Sequence, residues 1–299
     1  MSDYYGETTR ILESQHVKLE YLVNAARIVR FSMQGKQNMF AELKKLPVPT
    51  PFGDFYFRGG HRFWHAPEHM PRTYIPDNEG AVLSDIPNGV RIEMPTEPWT
   101  NIAKSIEIGL NPDKPQVILR HELRNEGAWA VELAPWALTM FRQGGIGIFP
   151  QPIGNTDDAG LLPNRRLSLW PYTNINDTRF IQRDDFLLVQ ATPSLPPFKF
   201  GYFNSHGWVG YWLDGILFTK RFDAEHDAKY PDYGCNVESY CNDEFIELES
   251  LGKLTLIAPG QTVFHNELWD LHETLNVPFI SVEIQQLISE VLPTNQPLF

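Results

Sequence analysis

The sequence predicts an all-β protein, a sandwich or barrel of many short strands. Three observations carry this. Short strand-like runs follow one another along most of the 299 residues, turn residues separate them, and helical period is almost absent. Pro at 24 and Gly at 21 are abundant for a helical protein but suit many strands joined by turns. With 42% apolar residues and 19 Phe, 11 Tyr and 8 Trp, the chain has ample material for a core and lacks the composition of a disordered one.

Residues 1–15 read as a polar N-terminal arm. Val17, Leu19, Tyr21 and Val23 then alternate with His16, Lys18, Glu20 and Leu22, mostly at strand period. Residues 43–53 (LKKLPVPTPFG) hold three prolines and predict a loop. Asp54–Asn78 is rich in Gly, His, Trp and Pro with no clean period, which reads as a long functional loop. Strands are predicted at Val90–Met94, Ser105–Leu110, Val117–Arg124 and Val131–Phe141. Further strands follow at Phe186–Gln190, Phe198–Phe203, Trp208–Trp212 and Leu217–Phe222. Phe245–Glu249, Leu254–Ile257 and Thr262–Leu271 complete the series, and only Val277–Val291 resembles a helix. No linker, low-complexity tract or repeat interrupts the chain, so 1–299 reads as a single domain.

Net charge is −12 and the isoelectric point about 5.2, which disfavours nucleic acid and anionic membrane surfaces as partners. No run of apolar residues is long enough to span a bilayer, and Met1–Glu20 carries no apolar segment of a secretory signal. Cys235 and Cys241 are too few for a disulfide framework and read as two ordinary thiols. A cytoplasmic location is the expectation.

Four patterns carry candidate chemistry. His65-Ala66-Pro67-Glu68-His69 matches the H-x-x-E-H pattern of zinc hydrolases. That pattern needs a helix to bring its ligands together, and Pro67 and Pro71 disfavour one, so no metal is expected. The wider run Gly59–Glu68 brings together Arg62, Trp64, His65 and Glu68. Sugars are bound by such sets, because aromatic faces cover the C–H face of the ring while charged groups bond its hydroxyls. A structural loop with Trp64 in the core and an Arg62–Glu68 ion pair fits equally well. In Phe245–Glu249, strand alternation puts Glu247 and Glu249 on one face, with Glu238 a few residues earlier. Such a pair is an acid–base station if the face lines a pocket, but unaided the pattern fits a solvated outer face better. Thr262–Leu271 aligns His265 and Glu267 with apolar neighbours, as expected of a strand edge with a satisfied core histidine. Gly144–Gly147 has neither the Lys nor the spacing of a phosphate loop and reads as a turn.

Gly59–Glu68 (GGHRFWHAPE), Leu133–Met140 (LAPWALTM), Tyr230–Tyr240 (YPDYGCNVESY) and Glu247–Leu271 together resemble a group of proteins related to galactose mutarotase, or aldose 1-epimerase. The resemblance spans Val17 to Leu271. It implies a large antiparallel β-sandwich of the galactose mutarotase-like type with a carbohydrate pocket, no cofactor, and a glutamate base paired with a histidine acid that open and close the sugar ring. Leu248-Glu249-Ser250, followed by Pro259-Gly260 and His265, stands where the resemblance implies the base, so Glu249 takes that role with Glu247 as fallback. The family's acid lies in an Asn-His-x-Tyr-Phe segment, where this chain has Ala134-Pro135-Trp136-Ala137-Leu138. His65 then stands in as acid and Arg62 as the family's arginine. Trp64, Glu68, Trp136, Glu238 and Glu247 complete the expected substrate contacts. The expected function is carbohydrate binding with anomer interconversion, the alternatives being binding without catalysis and metal-dependent hydrolysis.

Overall fold

The computed structural model describes residues 2–274 and 281–291. The chain starts with β1 (Ser2–Tyr4), β2 (Glu7–Glu13), β3 (Val17–Leu22), β4 (Ile28–Met33), β5 (Glu42–Thr50) and β6 (Gly53–Ala66). A 3-10 turn at Arg72–Tyr74 leads to β7 (Val82–Ile86), β8 (Gly89–Glu93), β9 (Ile102–Leu110) and β10 (Gln116–Asn125). Next come β11 (Val131–Arg142), β12 (Ile146–Pro150), β13 (Leu167–Leu169), β14 (Phe180–Gln182) and β15 (Phe186–Gln190). Then follow β16 (Phe198–Tyr202), β17 (Trp208–Leu213), β18 (Ile216–Phe222), β19 (Val237–Cys241), β20 (Phe245–Leu251), β21 (Thr255–Ile257) and β22 (Thr262–Glu273). A helix covers Ser281–Val291; the earlier part of the expected helix, residues 277–280, lies outside the described residues.

These strands build two antiparallel sheets. The first has twelve strands, ordered β1-β2-β3-β4-β6-β11-β20-β19-β16-β13, with β5 on β6 and β21 on β11. The second has ten, ordered β14-β15-β12-β17-β18-β22-β10-β9-β8-β7. The main core joins them: Phe31, Phe141, Ile246 and Leu248 of the first sheet pack with Val117, Phe218 and Trp269 of the second. Strand alternation therefore turns the neighbours of Ile246 and Leu248 to the opposite face of the first sheet. No helix among the described residues is long and apolar enough to cross a membrane.

Several local expectations are corrected. The polar arm is two paired strands, β1 and β2, anchored by few apolar side chains, Tyr4 and Leu12, and by polar contacts: the Tyr4 hydroxyl bonds the Arg58 carbonyl and the buried Thr9 hydroxyl bonds Glu20. An apolar count misses strands anchored this way. The proline-rich segment is β5, which pairs only with β6, so Pro47 and Pro49 sit in an outer strand where a missing N–H breaks no ladder. The expected loop after Asp54 is mostly β6, whose Gly59–Ala66 half is buried on both faces, which erases the alternation. Gly60 makes this strand possible at φ +61°, since a Cβ there would lie 2.0 Å from the Ile28 carbonyl oxygen. β22 is central rather than an edge, lying between β18 and β10.

Candidate functional site

The outer face of the first sheet carries a pocket of about 340 Å³. Registry puts Arg62 opposite Leu138, Leu138 opposite Glu249, and Glu249 opposite Glu238, one row across β6, β11, β20 and β19. Trp64 faces Trp136 in the next row. These residues are far apart in sequence, and the antiparallel ladder alone makes them neighbours.

The face is not solvated, contrary to the simplest reading of the Glu247–Glu249 pattern. Phe55, Trp64, Ala134, Trp136, Leu138 and Leu251 form a second apolar layer over it. Glu247 is 6% exposed and Glu249 fully buried. Buried charges must be paired, and here each is. Arg62 Nη1 lies 2.8 Å from Glu247 Oε1. Lys199 Nζ lies 2.7 Å from Glu238 Oε2 and 3.0 Å from Glu249 Oε2, and Trp136 Nε1 donates to the same Glu249 oxygen at 2.9 Å. The cations also cover aromatic faces: the Arg62 guanidinium is 4.2 Å from the Trp64 ring centre, and Lys199 Nζ is 4.9 Å from that of Trp136.

These contacts set the protonation of the site. Burial raises the Glu238 carboxyl well above the usual range against the opposing pull of Lys199, and burial likewise raises Glu247. Burial alone would lower Lys199, but Glu238 and Glu249 outweigh it and hold the ammonium charged. Tyr74, Tyr172 and Tyr240 also line the pocket, and burial pushes the Tyr240 hydroxyl up to about 12. Glu68 lines it too, its carboxylate accepting from Tyr74 rather than from Arg62. The arrangement can stack a flat apolar ligand face and offer hydroxyls, carboxylates and shared cations to a polar edge.

Arg62, Trp64, Glu68, Trp136 and Glu247 line this pocket, and Glu238 and Glu249 join it through Lys199. His65 does not join. It follows Trp64 on β6, so its side chain leaves by the other face, where Nε2 lies 3.2 Å from Glu97 Oε2. Glu97 in turn pairs with Lys104 at 2.5 Å. Burial lowers the His65 imidazole against the pull of Glu97. Glu249 and His65 are therefore not an acid–base pair for one bound sugar. Sequence reasoning missed Lys199, Tyr74 and Tyr172. The available signal for Lys199 was a lone cation between Phe198 and Phe200 in an otherwise apolar strand.

The H-x-x-E-H residues share no helix: His65 ends a strand, Glu68 meets Tyr74, and His69 is exposed. Among the described residues a different trio, His61, His121 and Glu267, has potential ligand atoms within 4.8 Å of one another. This trio lies between the sheets, and its members are hydrogen-bonded: the histidines to each other and to flanking groups, Glu267 to Ser250 and Trp269. Thr139 Oγ1 and His61 Nδ1 are 2.9 Å apart, His61 Nε2 and His121 Nε2 2.9 Å, and His121 Nδ1 and the His265 carbonyl 2.9 Å. One tautomer assignment satisfies every step, with His121 donating to the carbonyl, His61 to His121 and Thr139 to His61. Lys220 Nζ already sits 2.9 Å from Glu267 Oε1. The cluster is complete as a buried polar network. A larger cavity, about 570 Å³, is lined by exposed Arg165, Arg166 and Arg183 and contains no buried charged side chain.

No protein-family model matches the chain, and no curated protein sequence does. Solved structures match at the level of fold. A TPR-domain containing protein from Parabacteroides distasonis aligns with a TM-score of 0.60 at 13% identity over 97% of this chain, which spans 50% of that longer protein. A galactose mutarotase-like protein from Lactobacillus casei aligns at 0.55 and 10% identity, over 89% of this chain and 100% of the other. A provisionally assigned aldose 1-epimerase from Escherichia coli K12 aligns at 0.53 and 12% identity, over 90% and 100%. The two antiparallel sheets and these alignments agree with the resemblance read from the sequence: the chain has the galactose mutarotase-like β-sandwich fold.

Proposed function

We propose that the protein binds a carbohydrate or similar polyol in the pocket of Arg62, Trp64, Trp136, Lys199 and Glu247. The observation that carries this is the convergence of aromatic faces and paired charges on one sheet face of a mutarotase-like fold. A sugar presents an apolar C–H face and a hydroxyl rim, and the pocket offers a partner for each. Binding without catalysis fits better than anomer interconversion. Ring opening needs a base and an acid on one sugar, and Glu249 is held by Lys199 and Trp136 while His65 belongs to the Glu97 cluster.

Calorimetric titration with a panel of neutral aldoses and polyols tests this reading. Saturable binding is expected, weakened about tenfold or more in Trp64→Leu, a loss of ~1.4 kcal/mol or more. No binding by any member of the panel or its charged derivatives overturns it. Polarimetry of freshly dissolved α-anomers tests the other reading. Decay at the buffer rate is expected, and acceleration lost in Glu249→Gln would establish catalysis instead.

A further inference from the structure

We infer that the ligand is a polyol without an anionic group, either neutral or bearing an aminium, and that the pocket rejects sugar phosphates and sugar acids. The inference rests on the carbohydrate reading above and narrows it to a substrate class.

Carboxyl groups outnumber cations at this pocket. Two cations, Arg62 and Lys199, reach the pocket, while Glu68, Glu244 and Glu247 line it and Glu238 and Glu249 lie directly against Lys199. Glu238 and Glu247 are the carboxyls that burial inclines to hold a proton. Even with both protonated, Glu68, Glu244 and Glu249 outnumber the two cations. Neither cation is spare. Arg62 is committed to Glu247 at 2.8 Å, and Lys199 to Glu238 at 2.7 Å and Glu249 at 3.0 Å. A phosphate taking Lys199 would strand the buried Glu249 carboxylate, which is costlier than the new pair is favourable, and one taking Arg62 would break its contact with Glu247. It would also approach the carboxylates at the mouth, where like charges repel.

The arrangement is a property of this pocket rather than of the whole chain. Arg165 and Arg183, on the larger cavity, make side-chain bonds to backbone carbonyls of Asp184 and Gln182 and no carboxylate contact among the described residues. Guanidinium groups without a carboxylate partner therefore exist on the larger cavity, whereas Arg62, beside the aromatic rings, is paired with Glu247. An aminium meets the opposite situation. Exposed Glu68 and Glu244 lie at the rim, and Phe57, Tyr74, Tyr172 and Tyr240 supply ring faces beside them.

The test is a titration at neutral pH and low salt with glucose and galactose, each as parent sugar, amino sugar, uronate and hexose phosphate. Parent and amino sugars are expected to bind, with the uronate and phosphate at least about tenfold weaker and the gap shrinking as salt rises. Glu244→Gln and Glu68→Gln, both at exposed positions, are expected to narrow that gap. Uronate or phosphate binding as tightly as the parent, or binding alone, overturns the inference and leaves the carbohydrate reading intact. A gap unchanged in both variants overturns it too. Binding by no form overturns the carbohydrate reading and the inference with it.

Discussion

Lys199 Nζ lies 3.0 Å from Glu249 Oε2, beneath the Trp136 ring. The carboxylate that strand alternation offers as a free base is thus one member of a buried Glu238–Lys199–Glu249 triad, with Trp136 donating to the same oxygen. The triad fixes the pocket floor by electrostatics rather than by apolar packing.

Removing the central cation should therefore be severe. Lys199→Met strands Glu238 and Glu249 in a buried site, and a loss of about 3–5 kcal/mol is expected. Urea unfolding measures it. Adding Glu238→Gln and Glu249→Gln should restore part of the loss by removing the stranded charges, and a single variant within ~1 kcal/mol of the parent would contradict the pairing.

His65→Asn should separate stability from binding. The imidazole serves the Glu97–Lys104 cluster on the other face of β6. Stability should fall by about 1–3 kcal/mol as a buried hydrogen bond to a charged group is lost. Affinity for a neutral sugar should change less than about twofold, or less than ~0.4 kcal/mol. A large loss of affinity with little loss of stability would return His65 to the site.

Acid should unfold the protein through its buried histidines. Burial lowers His61, His121 and His265, the last to about 3 against an ordinary 6.5. Below the ordinary value the unfolded chain binds protons that the folded His265 refuses until about pH 3, so stability falls as pH drops through that window. Each such proton contributes a slope of about 1.4 kcal/mol per pH unit. Denaturation at a series of pH values should show the slope, and His265→Gln should reduce it by one proton's worth. A flat profile between pH 3 and 6.5 would rule out neutral buried imidazoles.

Gly60→Ala should be among the most damaging small substitutions. Its Cβ would meet the Ile28 carbonyl oxygen at 2.0 Å, at a backbone φ of +61°. Destabilisation above about 1 kcal/mol is expected by thermal unfolding, the added strain outweighing any entropy gained from the unfolded chain. A neutral effect would mean that β6 need not approach β4 so closely.

The order of the chain by itself determined the all-β class, the bounds of strands such as Phe186–Gln190, and the alignment of Glu247 with Glu249. These follow from local alternation and turn chemistry, which act over a few residues. Tertiary structure decided which face of each strand is covered. The same alternation describes a solvated face or a buried one, and only the layer of Phe55, Trp64 and Trp136 makes the carboxylates interior. It also decided the partners. Arg62 and Glu68 suggest an ion pair in sequence, yet registry carries Arg62 to Glu247 and leaves Glu68 to Tyr74. His65, next to Trp64 in the chain, is parted from it by the pleat, which sends successive side chains to opposite faces. Lys199 meets Glu249 because β16 and β20 flank β19, a relation that exists only once the sheet has formed.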